Sequence, residues 1–124
     1  MNNQTLLLRQ VHPRFIVDDE ISSQAFYPFP KDHGNLSAYD GDQISPEAAY
    51  QHYTDQLGLI SVGAWAVSGH EIESASLMYK SDPVAGNPAH AVICFAERTD
   101  KECRRLAKIL KRSAIERGCL FQQP

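Results

Sequence analysis

The chain has 124 residues, 43% of them hydrophobic and 22% charged, with a formal net charge of −3. That length fits a single domain with its own core, and the composition excludes a wholly disordered chain. No apolar run approaches the ~20 residues a membrane helix needs, and the opening "MNNQTLLLRQVHP" lacks the basic region and cleavage site of a signal peptide, so a cytoplasmic protein is expected.

Taken in chain order, residues 5–11 ("TLLLRQV") read as a strand, as do residues 23–29 ("SQAFYPF") and, more weakly, 35–40 ("NLSAYD"). Asp40 and Gly41 mark a turn. Ser45 is an N-cap with Pro46 at the first helical position, which predicts a helix running to Gly58 with Ala49, Tyr53 and Leu57 on one face. Residues 59–68 ("LISVGAWAVS") predict a central strand, and residues 69–77 a short helix capped by Ser68. Residues 81–88 carry two prolines and Gly86 and predict a loop feeding a strand over 90–96. The strongest element is the last. Thr99 and Glu102 make a capping box, Gly118 a stop, and Cys103, Leu106, Ala107, Leu110 and Ala114 form one apolar arc at helical spacing. Strands and helices that do not alternate regularly predict an α+β fold: one domain over 1–124, with a mixed or antiparallel sheet and two main helices packed on it.

Charge is divided along the chain. Residues 1–97 hold four Lys/Arg against twelve Asp/Glu, whereas residues 98–124 hold eight against three. Lys101, Arg104, Arg105, Lys108, Lys111 and Arg112 fall opposite the apolar arc of the last helix, a single-sign face suited to an acidic protein surface or a phosphate backbone. Overall acidity argues against a dedicated nucleic-acid binder.

Candidate chemistry is sparse. His90, between a proline loop and a strand, is either an acid/base or the group that closes the loop onto a carbonyl. In "RQVHPRF", Arg9 is suited to hold a phosphate or carboxylate, or to pair with an acid as a surface arginine. His12 falls on the other face of the same strand, which Pro13 ends. Ser23 has a nucleophile's hydroxyl but no GxSxG elbow. Asp40 and Asp42 lack the rest of a calcium loop. Five histidines without i,i+4 pairing and three cysteines (Cys94, Cys103, Cys119) without CxxC spacing give no metal site and no disulfide framework, and no cofactor is expected.

The blocks "LLRQVHPRFI", "SSQAF", "LSAYDGDQI" and "DPVAGNPAHAVICF" resemble the recurring segments of a group of small uncharacterised bacterial proteins. The resemblance spans most of the chain and implies a one-domain cytoplasmic protein of bacterial or phage-related origin. It carries over no catalytic residue. A weaker likeness, to the Arg/His, Ser and acidic order of ADP-ribosyltransferases, would use His12, Ser22 or Ser23, and Glu97. The leading expectation is therefore a binding or accessory protein that takes a protein partner, or nucleic acid, through its basic helix, as in a defence or toxin–antitoxin complex. The rival is a small enzyme for a nucleotide or other phosphate-bearing substrate, its pocket collecting Arg9, His12, Ser23 and His90. A homodimer joined at a strand edge is the third reading.

Overall fold

The computed structural model describes residues 1–124. In chain order the elements are β1 (Leu6–Gln10), β2 (Ile16–Val17), β3 (Glu20–Ile21), β4 (Asn35–Asp40), α1 (Pro46–Gln51), β5 (Gly63–Ser68), α2 (Gly69–Ser74), β6 (Met78–Ser81), β7 (His90–Cys94), α3 (Asp100–Arg117) and β8 (Phe121–Gln122). Six strands form one sheet in the order β6-β7-β4-β1-β5-β8, every neighbouring pair antiparallel, and β2 and β3 form a separate small hairpin. The expected α+β class holds, with the sheet wholly antiparallel.

Strand alternation divides the side chains between two faces. Leu7, Leu36, Ala38, Val67, Ala91 and Ile93 face α3 and, with its Cys103, Leu106, Ala107, Leu110 and Ala114, belong to one cluster of 19 buried residues. The expected arc of α3 is buried in full, and the expected capping box is present: Glu102 N–H donates to Thr99 Oγ1, and Thr99 N–H to the Glu102 carboxylate. On the opposite sheet face Leu8, Tyr39 and Ala66 form a smaller cluster with Ala49 of α1, which covers them. The coverage is partial, because α1 is short and the sheet is wide.

Several elements depart from expectation. Residues 23–29 are no strand: Ser23–Phe26 is a 3-10 turn that buries Ala25 and Phe26. Pro28 and Pro30 cannot donate to a ladder, which removes the strand pairing expected here. The helix after Ser45 changes character, since residues His52–Gln56 are a π-turn closed by Leu57 N–H to His52 O. The extra residue per turn rotates Leu57 out of the expected apolar face, and it is exposed. Strand β5 begins only at Gly63, and Leu59 and Ile60 are exposed. Strand β6, the β2–β3 hairpin and β8 had no counterpart in the sequence reading, and Cys94 at the end of β7 is half-buried.

The C-terminal end of α3 is tied down by Arg117. Its guanidinium donates to both Glu71 carboxylate oxygens, at 2.7 and 3.2 Å, and to Ala66 O of β5 at 3.0 Å. Glu71 also completes a capping box with Ser68 at the start of α2. Burial pushes the Glu71 carboxyl up, but the hydrogen bonds from Arg117 and Ser68 outweigh it and hold the pKa below the usual carboxylate value. A carboxyl depressed on folding stabilises the protein above its unfolded pKa of about 4.3, and that contribution is lost as pH falls through the lower folded value. Arg117→Met should therefore cost about 2 kcal/mol near neutral pH, and Glu71→Gln should flatten the acid limb of the stability profile. Urea denaturation across pH 2–7 checks both; an unchanged acid limb in Glu71→Gln would contradict the assignment.

A cationic cavity where two strands part

The ladder between β1 and β4 is short. Leu7 pairs with Asp40 and Leu8 with Tyr39, and there it stops, although β1 stays paired with β5 from Leu6 to Gln10 and beyond through Val11 and Gly63. Past Leu8 the two strands diverge, and Arg9 fills the wedge. Its Nη1 donates to Ser37 O of β4 at 2.7 Å, and its Nε and Nη2 donate to Ala25 O at 3.0 and 2.8 Å. The guanidinium thus supplies Ser37 O with a donor in place of the ladder N–H that the parting of the strands removes. It forms no ion pair. Burial lowers its pKa, with Tyr53 and Asp32 pulling it back up.

The wedge opens into a cavity of about 410 Å³, within the range of small-molecule sites. Its walls come from β1 (Leu8, Arg9, Gln10), from β4 (Ser37, Ala38, Tyr39), from the turn at His12, Arg14 and Phe15, from Tyr27, Phe29, Lys31 and Asp32, from the π-turn and its exit (Tyr53, Leu57, Leu59, Ile60), and from Asn87 and His90. Charge gathers here. Residues 1–97 hold only four Lys/Arg, and three of them (Arg9, Arg14 and Lys31) line this cavity, against Asp32 alone of twelve acids. Phe15 stacks on Phe29 with ring centroids 6.0 Å apart, and Tyr27 meets Phe29 edge-on at 5.1 Å, giving one aromatic wall.

Each imidazole at this end of the sheet has a defined role. His12 Nδ1 accepts from Arg14 N–H at 3.0 Å, so in the neutral ring Nε2 carries the proton and is a donor. Tyr39 Oη lies 2.8 Å from His52 Nδ1, and His52 Nε2 lies 3.0 Å from Gly86 O. A carbonyl only accepts, so Nε2 is protonated and the phenol donates to Nδ1. Burial, helped by Tyr53, pushes the Tyr39 pKa up to about 12 and keeps that donor in place. His90 Nδ1 lies 2.8 Å from Asp82 O and 3.3 Å from Asp82 Oδ2, while its Nε2 lies 3.2 Å from Ser37 Oγ. Gln10 is 6% exposed, and one end of its amide has no partner. Ser61 Oγ reaches the amide at 2.9 Å, but whichever end faces Ser61 leaves the other unsatisfied.

Of the residues singled out in the sequence, Arg9, His12 and His90 line this one cavity; Ser23 does not. Arg9 is neither a surface arginine nor paired with an acid, because the strand divergence draws it inward onto carbonyls. His90 Nδ1 meets Asp82 O, one residue before the Pro83–Pro88 segment in which the loop-closing reading put the carbonyl, and its Nε2 reaches Ser37. Lys101, Arg104, Arg105, Lys108 and Arg112 are exposed on α3, with Lys111 half-buried, and none of the six is in an ion pair. Glu97, the acid of the ADP-ribosyltransferase order, is exposed and does not line the cavity. No three His, Cys, Asp or Glu side chains converge as a metal site would require. No helix is long and apolar enough to cross a membrane. Sequence reasoning missed Gln10, Arg14, Lys31 and Ser37. Their local signal was weak: Arg14 and Lys31 are notable only as two of four cations in an acidic stretch, and Ser37 only through the strand register.

Arg9→Met removes three donors from two carbonyls and should cost about 2–3 kcal/mol, read as a lower urea midpoint with an unchanged slope; a loss under about 0.5 kcal/mol would contradict the wedge role. Comparison of the chain with protein-family models, with curated proteins and with solved structures returned no significant match.

Proposed function

We propose that this protein binds a small phosphate-bearing molecule with a flat ring, such as a nucleotide, in the cavity between β1 and β4. The observation that carries the reading is the gathering of Arg9, Arg14 and Lys31 around one concave site in an otherwise acidic stretch. Cations kept near one another repel, and the arrangement is favourable when an anion lies among them. Arg9 spends three of its five N–H donors on carbonyls and has two left. His12 adds an Nε2 donor, and the unpartnered end of the Gln10 amide adds a polar group. The Phe15, Tyr27 and Phe29 wall suits a planar ring, since base–aromatic stacking is worth about 1–3 kcal/mol.

A second reading rests on α3, whose exposed Lys101, Arg104, Arg105, Lys108 and Arg112 lie free of ion pairs. This face would take a protein partner or nucleic acid in the cytoplasm of a bacterial cell, and it would be read by a steep salt dependence. It ranks second because a solvated basic face also serves simply to offset the acidity of residues 1–97.

Titration calorimetry with adenosine monophosphate, inorganic phosphate and adenosine separates the readings. The pocket reading expects binding of the two phosphate-bearing probes, weak or no binding of adenosine, and at least a tenfold rise in Kd in Arg14→Ala/Lys31→Ala, about 1.4 kcal/mol or more. No binding of either phosphate-bearing probe would overturn it. Binding that survives that double change but is lost in Arg104→Glu/Lys108→Glu/Arg112→Glu would move the function to α3.

A further inference from the structure

We infer that Ser37 is a nucleophile, activated by His90, that cleaves a phosphate monoester held in this cavity; the inference rests on the pocket reading above. Ser37 sits on β4 opposite Val92 of β7, and His90 sits opposite Tyr39, so the two are diagonal neighbours on one sheet face. The serine is exposed and the imidazole half-buried, and both line the cavity.

The tautomer is the informative feature. Asp82 O accepts at 2.8 Å from His90 Nδ1, and a carbonyl oxygen has no proton to give. Nδ1 therefore holds the ring proton, and Nε2 presents its lone pair 3.2 Å from Ser37 Oγ. The Asp82 carboxylate, with Oδ2 at 3.3 Å from Nδ1, stabilises the imidazolium that forms when Nε2 takes a proton. Carboxylate, imidazole and hydroxyl thus stand in the order that general-base activation requires. Arg9 adds the electrostatic part. Its guanidinium is fixed on the Ser37 carbonyl at 2.7 Å, which places a permanent positive charge beside the nucleophile, where a phosphoryl group gathers negative charge.

The step balances without a further reactant than water. Ser37 Oγ attacks phosphorus and its proton passes to His90 Nε2. The Oγ–P bond forms as the bond from phosphorus to the leaving alcohol oxygen breaks, and His90 returns the proton to that oxygen. A water molecule, deprotonated by Nε2, then attacks the phosphoserine. The Oγ–P bond breaks, Ser37 regains its proton from His90, and inorganic phosphate leaves. The net change is ester plus water to alcohol plus phosphate.

The test uses the full chain and p-nitrophenyl phosphate, reading nitrophenol release together with acid-quenched peptide mass spectrometry. The expected result is phosphoserine at position 37, release abolished in Ser37→Ala, and release lowered on the order of 100-fold in His90→Asn. Ser37→Ala removes only an exposed hydroxyl, so it keeps the test decisive if His90→Asn fails to fold. Release equal in Ser37→Ala and the parent chain, or no release at all from a chain that binds inorganic phosphate by calorimetry, would overturn the nucleophile and leave the pocket reading standing. A chain that neither binds phosphate nor releases nitrophenol would overturn both.

Discussion

The structure turns on one guanidinium. Strand β1 cannot follow both of its neighbours past Leu8: it stays with β5 and parts from β4. Parting costs ladder hydrogen bonds, and Arg9 recovers part of that cost by donating to Ser37 O and to Ala25 O. The same three bonds fix the 3-10 turn at Ser23–Phe26 against the sheet and hold the wedge open. A neutral side chain of similar length would leave the carbonyls bare, and a continued ladder would leave no cavity. The separation that makes the fold locally imperfect is therefore what gives it a concave site, and the group that repairs it brings a charge into that site.

The two faces of the sheet divide the work. The α3 face is a continuous apolar core whose cohesion follows from burial of the helix's Cys/Leu/Ala arc and of Leu7, Leu36, Val67 and Ile93. The other face is half covered. Helix α1 shields Leu8, Tyr39 and Ala66, and its π-turn aims His52 at Tyr39 and Gly86 and sets Tyr53 on the cavity wall. What α1 leaves uncovered, between its end and the Asp82–His90 loop, is the polar surface of Ser37 and His90. The larger core and the Ser37–His90 pair thus lie on opposite faces of β4 and β7.

Local rules read well where the determinant is local. The Thr99–Glu102 and Ser45 caps, the apolar arc of α3 and the extent of β4 all follow from residues within a few positions of one another. Longer-range determinants do not show. The segment "SQAFYPF" read as a strand, yet Pro28 and Pro30 and the packing of Phe26 in the core make it a turn. Strand β6 is short, largely exposed and at the sheet edge, so no apolar alternation marks it. For the site, Arg9, His12 and His90 stood out by residue type. Ser37 did not, because its pairing with His90 spans 53 positions and depends on the β4–β7 register. The wedge itself has no sequence signature, since it records where a ladder ends rather than which residues compose it.

The central claim is that the β1–β4 wedge is an anion site organised by Arg9. Its most direct test is a phosphate titration followed by nuclear magnetic resonance of the arginine Nε–H and glutamine side-chain amide signals at constant ionic strength. The account predicts saturable shifts of Arg9 Nε–H and the Gln10 amide with one shared Kd, while the arginines of α3 stay unmoved. Shifts confined to Arg104, Arg105 and Arg112, with Arg9 and Gln10 unmoved at saturating phosphate, would contradict it.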